Sequence, residues 1–278
     1  LPVIIEGETG TVKELLAQSL HQLSGRQGPL VIIGCGSISP TLFENELFGH
    51  LKGAFTGALV DHDGLLSQAR GGTLLLDNIC DLPLSCQEKL LRVLQEHKFR
   101  RIGDTAPQPF DARVIVTTSR DLEELVTAER FRQDLYFRLK GVCLRLPPLC
   151  RRQKDIVPIA RHIFKKQGVD PDRVAPQLYD FLQEYPWPGN VRELKNLLEM
   201  SVLLAGGRAP NLEQVRSGVC GFTRTEKSDV PVYQMPLLPM KDAEKHYLLL
   251  VVTHFRGNKS QAARFLQIGR ETLRRKLG

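Results

Sequence analysis

One apolar segment of this sequence ends in residues that could serve metal-assisted phosphate chemistry. The stretch GGTLLLDN, residues 71–78, reads as a buried strand that delivers Asp77 and then Asn78 to its carboxyl end. Where such a strand serves phosphoryl transfer, the first acid holds magnesium and a second acid usually polarises the attacking water. The amide of Asn78 cannot accept a proton. Asp77 is therefore a candidate magnesium ligand, and any hydrolysis depends on what surrounds Asn78.

A glycine-rich turn after the first apolar run is a candidate phosphate loop. Between a strand and a helix, such a turn offers backbone N–H groups and the positive helix end to phosphates, and a lysine reaches the β- and γ-phosphates. The full pattern GxxxxGK[ST] would place glycine at position 12 and a hydroxyl at position 14, so the motif is incomplete. Taken alone, a structural turn with a solvated lysine is an equal alternative. The candidate residues are Gly7, Glu8, Thr9, Gly10, Thr11, Val12, Lys13 and Glu14.

The hydrophobic pattern predicts the elements that position these residues. Apolar runs without alternation are typical of strands buried on both faces, and here they are separated by segments of helical period. The runs lie at residues 3–5, 30–33, 74–76 and 114–116, and the helical segments include residues 12–23 and 87–95. We therefore predict an α/β core with a mainly parallel sheet over residues 1–150.

Three further units are predicted after this core. Residues 151–216 have helical periodicity at 155–167, 175–184 and 190–204 and no strand candidate, which indicates a small α-helical domain. Residues 217–240 carry glycine, proline and polar residues without a sustained period and are interpreted as a linker. Residues 241–278 form a last helical unit.

A peptide in the core, ELFGHLKGAFTGA at residues 46–58, has no generic structural explanation. Glycines and alanines flank Phe55 and Thr56 at what should be an exposed loop tip. An apolar ring held in water indicates a contact surface. The predicted contact residues are Gly53, Ala54, Phe55, Thr56, Gly57 and Ala58.

Composition excludes several classes of protein. The chain has 278 residues, 42% of them apolar, and a formal charge of +7. No run approaches the roughly 18 apolar residues of a membrane span, and the start does not resemble a signal peptide. The cysteines lack the spacing of a zinc site, and buried reduced thiols are the interpretation. We predict a cytoplasmic protein without a membrane partner, and the start at Leu1 suggests that further sequence precedes it.

Several motifs together resemble the AAA+ ATPase domain of sigma-54-dependent transcriptional activators, the bacterial enhancer-binding proteins. They are ELFGHLKGAFTGA, GGTLLLDN, RFRQDLYFRL, LRLPPL and YPWPGNVRELKNLLE, and the match spans nearly all of residues 1–215. The resemblance implies an AAA+ P-loop core with an α-helical lid. It further implies binding of ATP or ADP with magnesium, assembly into a homo-oligomer up to a hexameric ring, and contact with the sigma-54 RNA polymerase holoenzyme through residues 53–58.

The resemblance also assigns three arginines. Arg132 and Arg138 match the arginine fingers, which reach the γ-phosphate bound by a neighbouring subunit and stabilise its charge during transfer. Arg192 matches the sensor II arginine of the lid. For any arginine taken alone, a surface ion pair would be the better interpretation.

The C-terminal unit is predicted to bind DNA. A short helix at 259–266, a turn at 267–269 and a basic helix from Arg270 give the order of a helix-turn-helix, whose second helix lies in the major groove. Clustered lysine and arginine point to nucleic acid. The run GNKSQAARFLQIGRETLRRKL also resembles the Fis-type helix-turn-helix of the same activators, which implies enhancer DNA as a partner. The base-edge candidates are Arg270, Thr272 and Arg274, and the phosphate candidates are Lys259, Arg275 and Lys276.

The sequence departs from the family pattern around the expected γ-phosphate. The family's phosphate loop reads GESGTGKE, so Val12 replaces a glycine; a positive φ there would cost about 1–3 kcal/mol. Gly34 stands where an asparagine acts as a switch partner, Asn78 where the catalytic glutamate stands, and Ser119 where sensor I is usually asparagine. Loss of a general base typically costs about 10²–10⁴ in rate.

The leading hypothesis is a sigma-54-interacting regulator with weakened nucleotide binding and weak or absent ATP hydrolysis, acting as a homo-oligomer or in mixed rings. Two alternatives stay open. A fully active ATPase would be an enzyme with a turnover near 1 s⁻¹, which is at the low end of typical values. A DNA-bound repressor or scaffold would need no nucleotide.

Overall fold

The computed structural model describes residues 1–36, 39–216, 247, 248, 252, 259, 263 and 268–277. Its strands are β1 (Val3–Glu6), β2 (Leu30–Gly34), β3 (Gly49–His50), β4 (His62–Asp63), β5 (Thr73–Asp77), β6 (Lys98–Phe99), β7 (Gln108–Pro109), β8 (Arg113–Thr118) and β9 (Val142–Arg145). Five of them form a sheet in the order β2-β5-β8-β1-β9, and every pairing in it is parallel. This confirms the predicted α/β core.

Helices cover both faces of this sheet. They are α1 (Lys13–Leu23), α2 (Pro40–Phe48), α3 (Leu65–Gln68), α4 (Leu84–Glu96), α5 (Leu122–Thr127) and α6 (Gln133–Leu139). Leu74 and Leu76 pack into the larger core with residues of α2, α4 and α6. Leu75, between them, packs with Ala17 of α1 on the opposite face. Burial on both faces explains why these strands show no alternation in the sequence.

The four predicted strands of the five-stranded sheet are confirmed, and its fifth strand was missed. Strand β9 pairs with β1 at the edge of the sheet, with Val142 opposite Val3. Much of it is exposed, so its sequence lacks the continuous apolar run that reveals the inner strands. Among the described cysteines, Cys35, Cys80 and Cys86 are buried, as predicted, whereas Cys143 and Cys150 are exposed.

The second part of the large unit is helical, as predicted. Its helices are α7 (Ile156–Lys166), α8 (Pro176–Glu184) and α9 (Asn190–Leu204), preceded by short 3₁₀ turns at Leu149–Arg151 and Gln153–Asp155. Trp187 is buried in their common core, and its indole N–H donates to Leu182 O at 2.7 Å. The domain boundary at residue 150 stays a prediction.

The chain divides into two compact units, Leu1–Phe222 and Thr223–Gly278. In the second unit, Leu248, Ala263 and Leu273 form a buried cluster. The C-terminal helix Arg270–Leu277 begins where the sequence predicts a basic helix. The predicted linker at 217–240 lies outside the described residues. None of the helices in the described part of the chain has the length and apolar content that a membrane span requires.

Candidate nucleotide site and contact surfaces

A cleft of about 840 Å³ opens at the carboxyl edge of the sheet. It brings together the phosphate loop, the ends of β2 and β5, and the first turns of α9. The cleft is lined by Thr9, Gly10, Val12, Lys13, Glu14, Leu15, Gln18, Gly34, Gly36, Asp77, Asn78, Asp81, Val191, Arg192, Lys195 and Asn196. Eight of the residues predicted for the nucleotide site therefore share one cleft: Thr9, Gly10, Val12, Lys13, Glu14, Asp77, Asn78 and Arg192. Gly7, Glu8, Thr11 and Ser119 do not line it.

The phosphate loop holds its lysine over its own backbone. Lys13 Nζ donates to Gly7 O at 2.8 Å and to Glu8 O at 3.1 Å. Burial lowers the pKa of Lys13, while the charge of Asp77 opposes that shift. The cation and the carboxylate thus face the same cleft, as a site for a magnesium-bound phosphate requires.

Val12 is strained where the chain enters α1. It lies in the left-handed region at φ 66°, ψ 42°, and caps the helix without a side-chain hydrogen bond. A β-branched residue at positive φ is a genuine outlier. Strain was predicted if Val12 has a positive φ, and it does. The strained residue lies in the phosphate loop itself.

The helical domain is fastened to the back of the phosphate loop. Asn190 Nδ2 donates to Glu8 Oε2 at 3.0 Å and to Thr9 O at 3.1 Å, and Asn190 Oδ1 accepts from Leu149 N. The N–H of Arg192 donates to Gly10 O at 3.3 Å. A Cβ on Gly10 would lie 2.3 Å from the carbonyl oxygen of Gly189, so only glycine fits there.

The end of β5 is organised by hydroxyl groups. Thr117 Oγ1 donates to Asp77 Oδ1 at 2.6 Å and accepts from Asn78 N at 2.8 Å. Ser119 Oγ donates to Asn78 Oδ1 at 3.0 Å. Asn78 itself is left-handed at φ 60°. Ser119, the sensor I candidate, is therefore engaged with the residue that replaces the glutamate.

Two residues of this region were missed from the sequence. Asn78 Nδ2 donates to Oδ2 of Asp81, and the Cys80 thiol lies 3.4 Å from Asn78 Oδ1. Both residues belong to a 3₁₀ turn, Ile79–Asp81, that bends the chain back to the strand end. An acid three residues after Asn78 was the signal that could have revealed this contact.

The two finger candidates, Arg132 and Arg138, lie outside the cleft of their own chain. Arg132 bonds Asp134 through Nε and Nη2 at 3.1 and 2.8 Å. Arg138 donates to Leu94 O through Nε and Nη2 at 3.0 and 2.6 Å. Arg192, in contrast, lines the cleft.

The loop at residues 53–58 is a closed turn. Gly53 N donates to Ala58 O at 2.9 Å, and the two glycines, Gly53 and Gly57, have φ of 82° and 107°. Phe55 is 44% exposed, and its ring packs edge-to-face with the His50 ring, with the two centroids 5.0 Å apart. The exposed tip is as predicted, but Ala58 is buried and belongs to the base of the turn.

The DNA-binding candidates lie in the second unit. Arg270 and Arg274 are exposed and Thr272 is half-buried, while Leu273 between them is fully buried. Lys259 is also exposed. The side chains of Arg275 and Lys276 lie outside the described residues.

A parallel sheet of this order, a phosphate loop after β1, an acid at the end of β5 and a helical domain that closes the cleft define an AAA+ fold. The sequence matches the family model "Sigma-54 interaction domain" over residues 1–145. It further matches "AAA+ ATPase lid domain" over 151–229 and "Bacterial regulatory protein, Fis family" over 239–278. The chain belongs to the sigma-54 interaction domain family, which confirms the resemblance.

Individual relatives agree with this assignment. The transcriptional regulatory protein ZraR of Klebsiella oxytoca is 43% identical over 281 residues, covering 99% of this chain and 62% of ZraR. The DNA-binding transcriptional activator HyfR of Escherichia coli is 48% identical over 260 residues, covering 90% of this chain and 39% of HyfR. The crystal structure of NtrX from Brucella abortus in complex with ATP superposes with a TM-score of 0.74 at 32% identity, covering 99% of this chain and 63% of NtrX. The chain thus spans about three fifths of the length of ZraR.

Proposed function

We propose that the chain is a sigma-54-interacting transcriptional regulator that binds enhancer DNA and hydrolyses ATP weakly or not at all. The environment of Asn78 supports the second part of this proposal, weak or absent hydrolysis. Its amide oxygen accepts from Ser119 and its amide nitrogen donates to Asp81. An amide held on both sides at this position cannot act as the general base that the site requires.

Nucleotide binding is supported by the contents of the cleft. Lys13, Arg192 and Lys195 supply positive charge, and a volume of about 840 Å³ suits a nucleoside triphosphate. Asp77 carries one hydrogen bond from Thr117, and its carboxylate is the hard oxygen ligand that Mg²⁺ prefers. When bound, the ion would neutralise charge on the phosphates. The related NtrX was crystallised in complex with ATP.

Weakened affinity follows from the phosphate loop. The left-handed Val12 places a branched side chain where the backbone approaches a phosphate. Strain of about 1–3 kcal/mol at this point corresponds to a loss of roughly 5- to 150-fold in affinity if binding has to distort the loop further.

Slow hydrolysis follows from the residues at the ends of β2 and β5. Gly34, at the end of β2, offers no amide as a switch partner. Loss of the general base alone typically costs about 10²–10⁴ in rate. The retained Lys13 and Asp77 bind and position, but they do not replace a proton acceptor.

Contact with sigma-54 is proposed for the loop at 53–58. Phe55 and Thr56 are exposed at its tip, and Phe55 rests against His50 at the base. An exposed aromatic ring on a constrained turn is a suitable anchor for a protein partner. Arg132 and Arg138, kept outside their own cleft, remain available to a neighbouring subunit in a homo-oligomer or a mixed ring.

Binding of enhancer DNA is proposed for the C-terminal helix. Burial of Leu273 fixes the helix by one face. Arg270 and Arg274 lie one turn apart and are exposed, so both can enter a groove together. Lys259 is the phosphate candidate among the described side chains.

Nucleotide binding and hydrolysis should be measured together on this chain, at concentrations that allow ring assembly. We expect ADP and ATP with Mg²⁺ to raise the melting temperature, because a ligand that binds only the folded state stabilises it. Phosphate release should stay well below 1 s⁻¹. A turnover near that value would select the active ATPase, and no change in melting temperature would select the nucleotide-independent scaffold.

A further inference from the structure

The Asp81 carboxylate lines the cleft, and none of the roles assigned above uses it. It is exposed and lines the cleft together with Lys13 and Asp77. The 3₁₀ turn Ile79–Asp81 places it directly beside Asn78, whose Nδ2 donates to its Oδ2. The cleft therefore holds a carboxylate next to the position where the acid is missing.

Both ends of the Asn78 amide take part in this arrangement. Ser119 Oγ donates to Asn78 Oδ1 at 3.0 Å, which fixes the orientation of the amide and turns its N–H group towards Asp81. The backbone N–H of Asn78 is held by Thr117 Oγ1 at 2.8 Å. Asn78 is thus anchored at three points and can orient a carboxylate rather than act as one.

The backbone at and after the end of β2 leaves room for this carboxylate. A Cβ built on Gly36 would lie 3.0 Å from Asp81 Oδ2, so the glycine allows the acid to approach the backbone closely. Gly34, nearby at the end of β2, has no side chain to compete for it. An amide and a carboxylate are paired here, with the amide on residue 78 and the acid three residues later.

We propose that Asp81 is the proton acceptor for the slow hydrolysis of a nucleoside triphosphate in this cleft, with Asn78 as its positioning residue. The proposal rests on the proposed nucleotide site. The oxygen of a water forms a bond to the terminal phosphorus as the bond from that phosphorus to the bridging oxygen breaks. The electron pair of the broken bond leaves on the diphosphate, and the proton of the water passes to the Asp81 carboxylate. The products are a nucleoside diphosphate and phosphate.

The test is Asp81→Asn in single-turnover hydrolysis of Mg²⁺-ATP, with binding of a fluorescent ADP analogue measured on the same protein. We expect the rate to fall at least tenfold and the affinity for the analogue to change less than twofold. The matched control is Asp180→Asn, an exposed acid on α8 that does not line the cleft. It should change neither quantity.

A reciprocal variant separates the acid itself from its surroundings. Asn78→Asp combined with Asp81→Asn keeps one amide and one carboxylate in contact, so it should recover hydrolysis relative to Asp81→Asn alone. An unchanged rate in Asp81→Asn overturns the proposal. So does a chain that binds the analogue but shows no hydrolysis above buffer. Failure to bind the analogue at all would instead remove the proposed nucleotide site.

Discussion

The nucleotide cleft and the loop at 53–58 both use left-handed backbone, but they use it differently. In the loop the positive φ values belong to Gly53 and Gly57, which adopt them without strain. In the cleft Gly10 has a positive φ as well, but so do two residues that are not glycine, Val12 and Asn78, at 66° and 60°. Three of the four departures from the family pattern, Val12, Gly34 and Asn78, line the cleft, and the fourth, Ser119, bonds Asn78; the loop sequence contains none. We therefore expect contact and hydrolysis to be separable in this chain, and the β-branched Val12 puts backbone strain in the phosphate loop but not in the contact loop.

The largest effect is expected from a variant that restores the family residues in and around the cleft. The variant Val12→Gly, Gly34→Asn, Asn78→Glu and Ser119→Asn should gain hydrolysis far beyond the product of the single changes, since residues that act as a unit are strongly non-additive. Asn78→Glu alone should give little, because the new acid would lack an amide partner and would lie beside Asp81. Phosphate release is the measurement.

Two results would contradict the view that the defect in hydrolysis is shared among these four positions. One is robust hydrolysis by the unmodified chain, and the other is robust hydrolysis by Asn78→Glu alone. As a control, Lys13→Ala added to the fourfold variant should abolish the gain, because the rebuilt site still needs its phosphate-binding cation.

The loop provides the second test, from the other side of the comparison. Thr56→Ala or deletion of Phe55 should abolish binding of sigma-54 without altering affinity for DNA, because both residues are exposed at the tip of a separate turn. Thr127→Ala, at an exposed position on α5, is the matched control and should bind normally. Pull-down of sigma-54 that survives both loop changes would assign the contact elsewhere.

The third test asks whether DNA recognition is independent of both regions. Arg274→Ala should weaken binding at the preferred site by about 1–3 kcal/mol if the side chain reads a base. Lys259→Ala should weaken binding to all sequences about equally and reduce the salt dependence. Binding titrations on preferred and random duplexes measure both. Equal loss on all sequences in Arg274→Ala would reassign that arginine to the phosphates.

The smallest expected effect is on the free energy of unfolding, and it measures the backbone strain at Val12. Val12→Gly should raise the free energy of unfolding by about 1 kcal/mol, because glycine adopts positive φ without a Cβ penalty. Val60→Gly, at an exposed valine without positive φ, should not stabilise the chain. Denaturant unfolding of the two variants gives the comparison. A destabilised Val12→Gly would show that the valine side chain contributes more by packing than it costs in strain.

Much of the fold was predictable because it depends on local patterns. Buried runs identified the inner strands, and helical period placed α9 at its observed bounds, Asn190–Leu204. The edge strand β9 escaped detection because an exposed strand has no such run. Val12 could be flagged because its type conflicts with a conformation that the motif suggests.

The internal organisation of the site was less predictable, since it depends on contacts between distant residues. Asn190 bonds Glu8 across 182 positions of sequence, and no periodicity encodes that distance. The Asn78–Asp81 contact is close in sequence, but it depends on a 3₁₀ turn, and the three-residue spacing alone does not predict that turn. Residue types indicated the chemistry of the cleft, and only the structure showed which of its groups are hydrogen-bonded to one another.

The carbonyl of Gly10 links local unfolding of helix α9 to that of the phosphate loop. Helix α9 has no side-chain cap, and the N–H of Arg192 in its first turn is satisfied by that carbonyl. We therefore expect fraying of α9 and loosening of the phosphate loop to be coupled. A ligand that tightens the loop would slow hydrogen exchange at the Arg192 amide, so that this amide reports on phosphates that its own side chain need never touch.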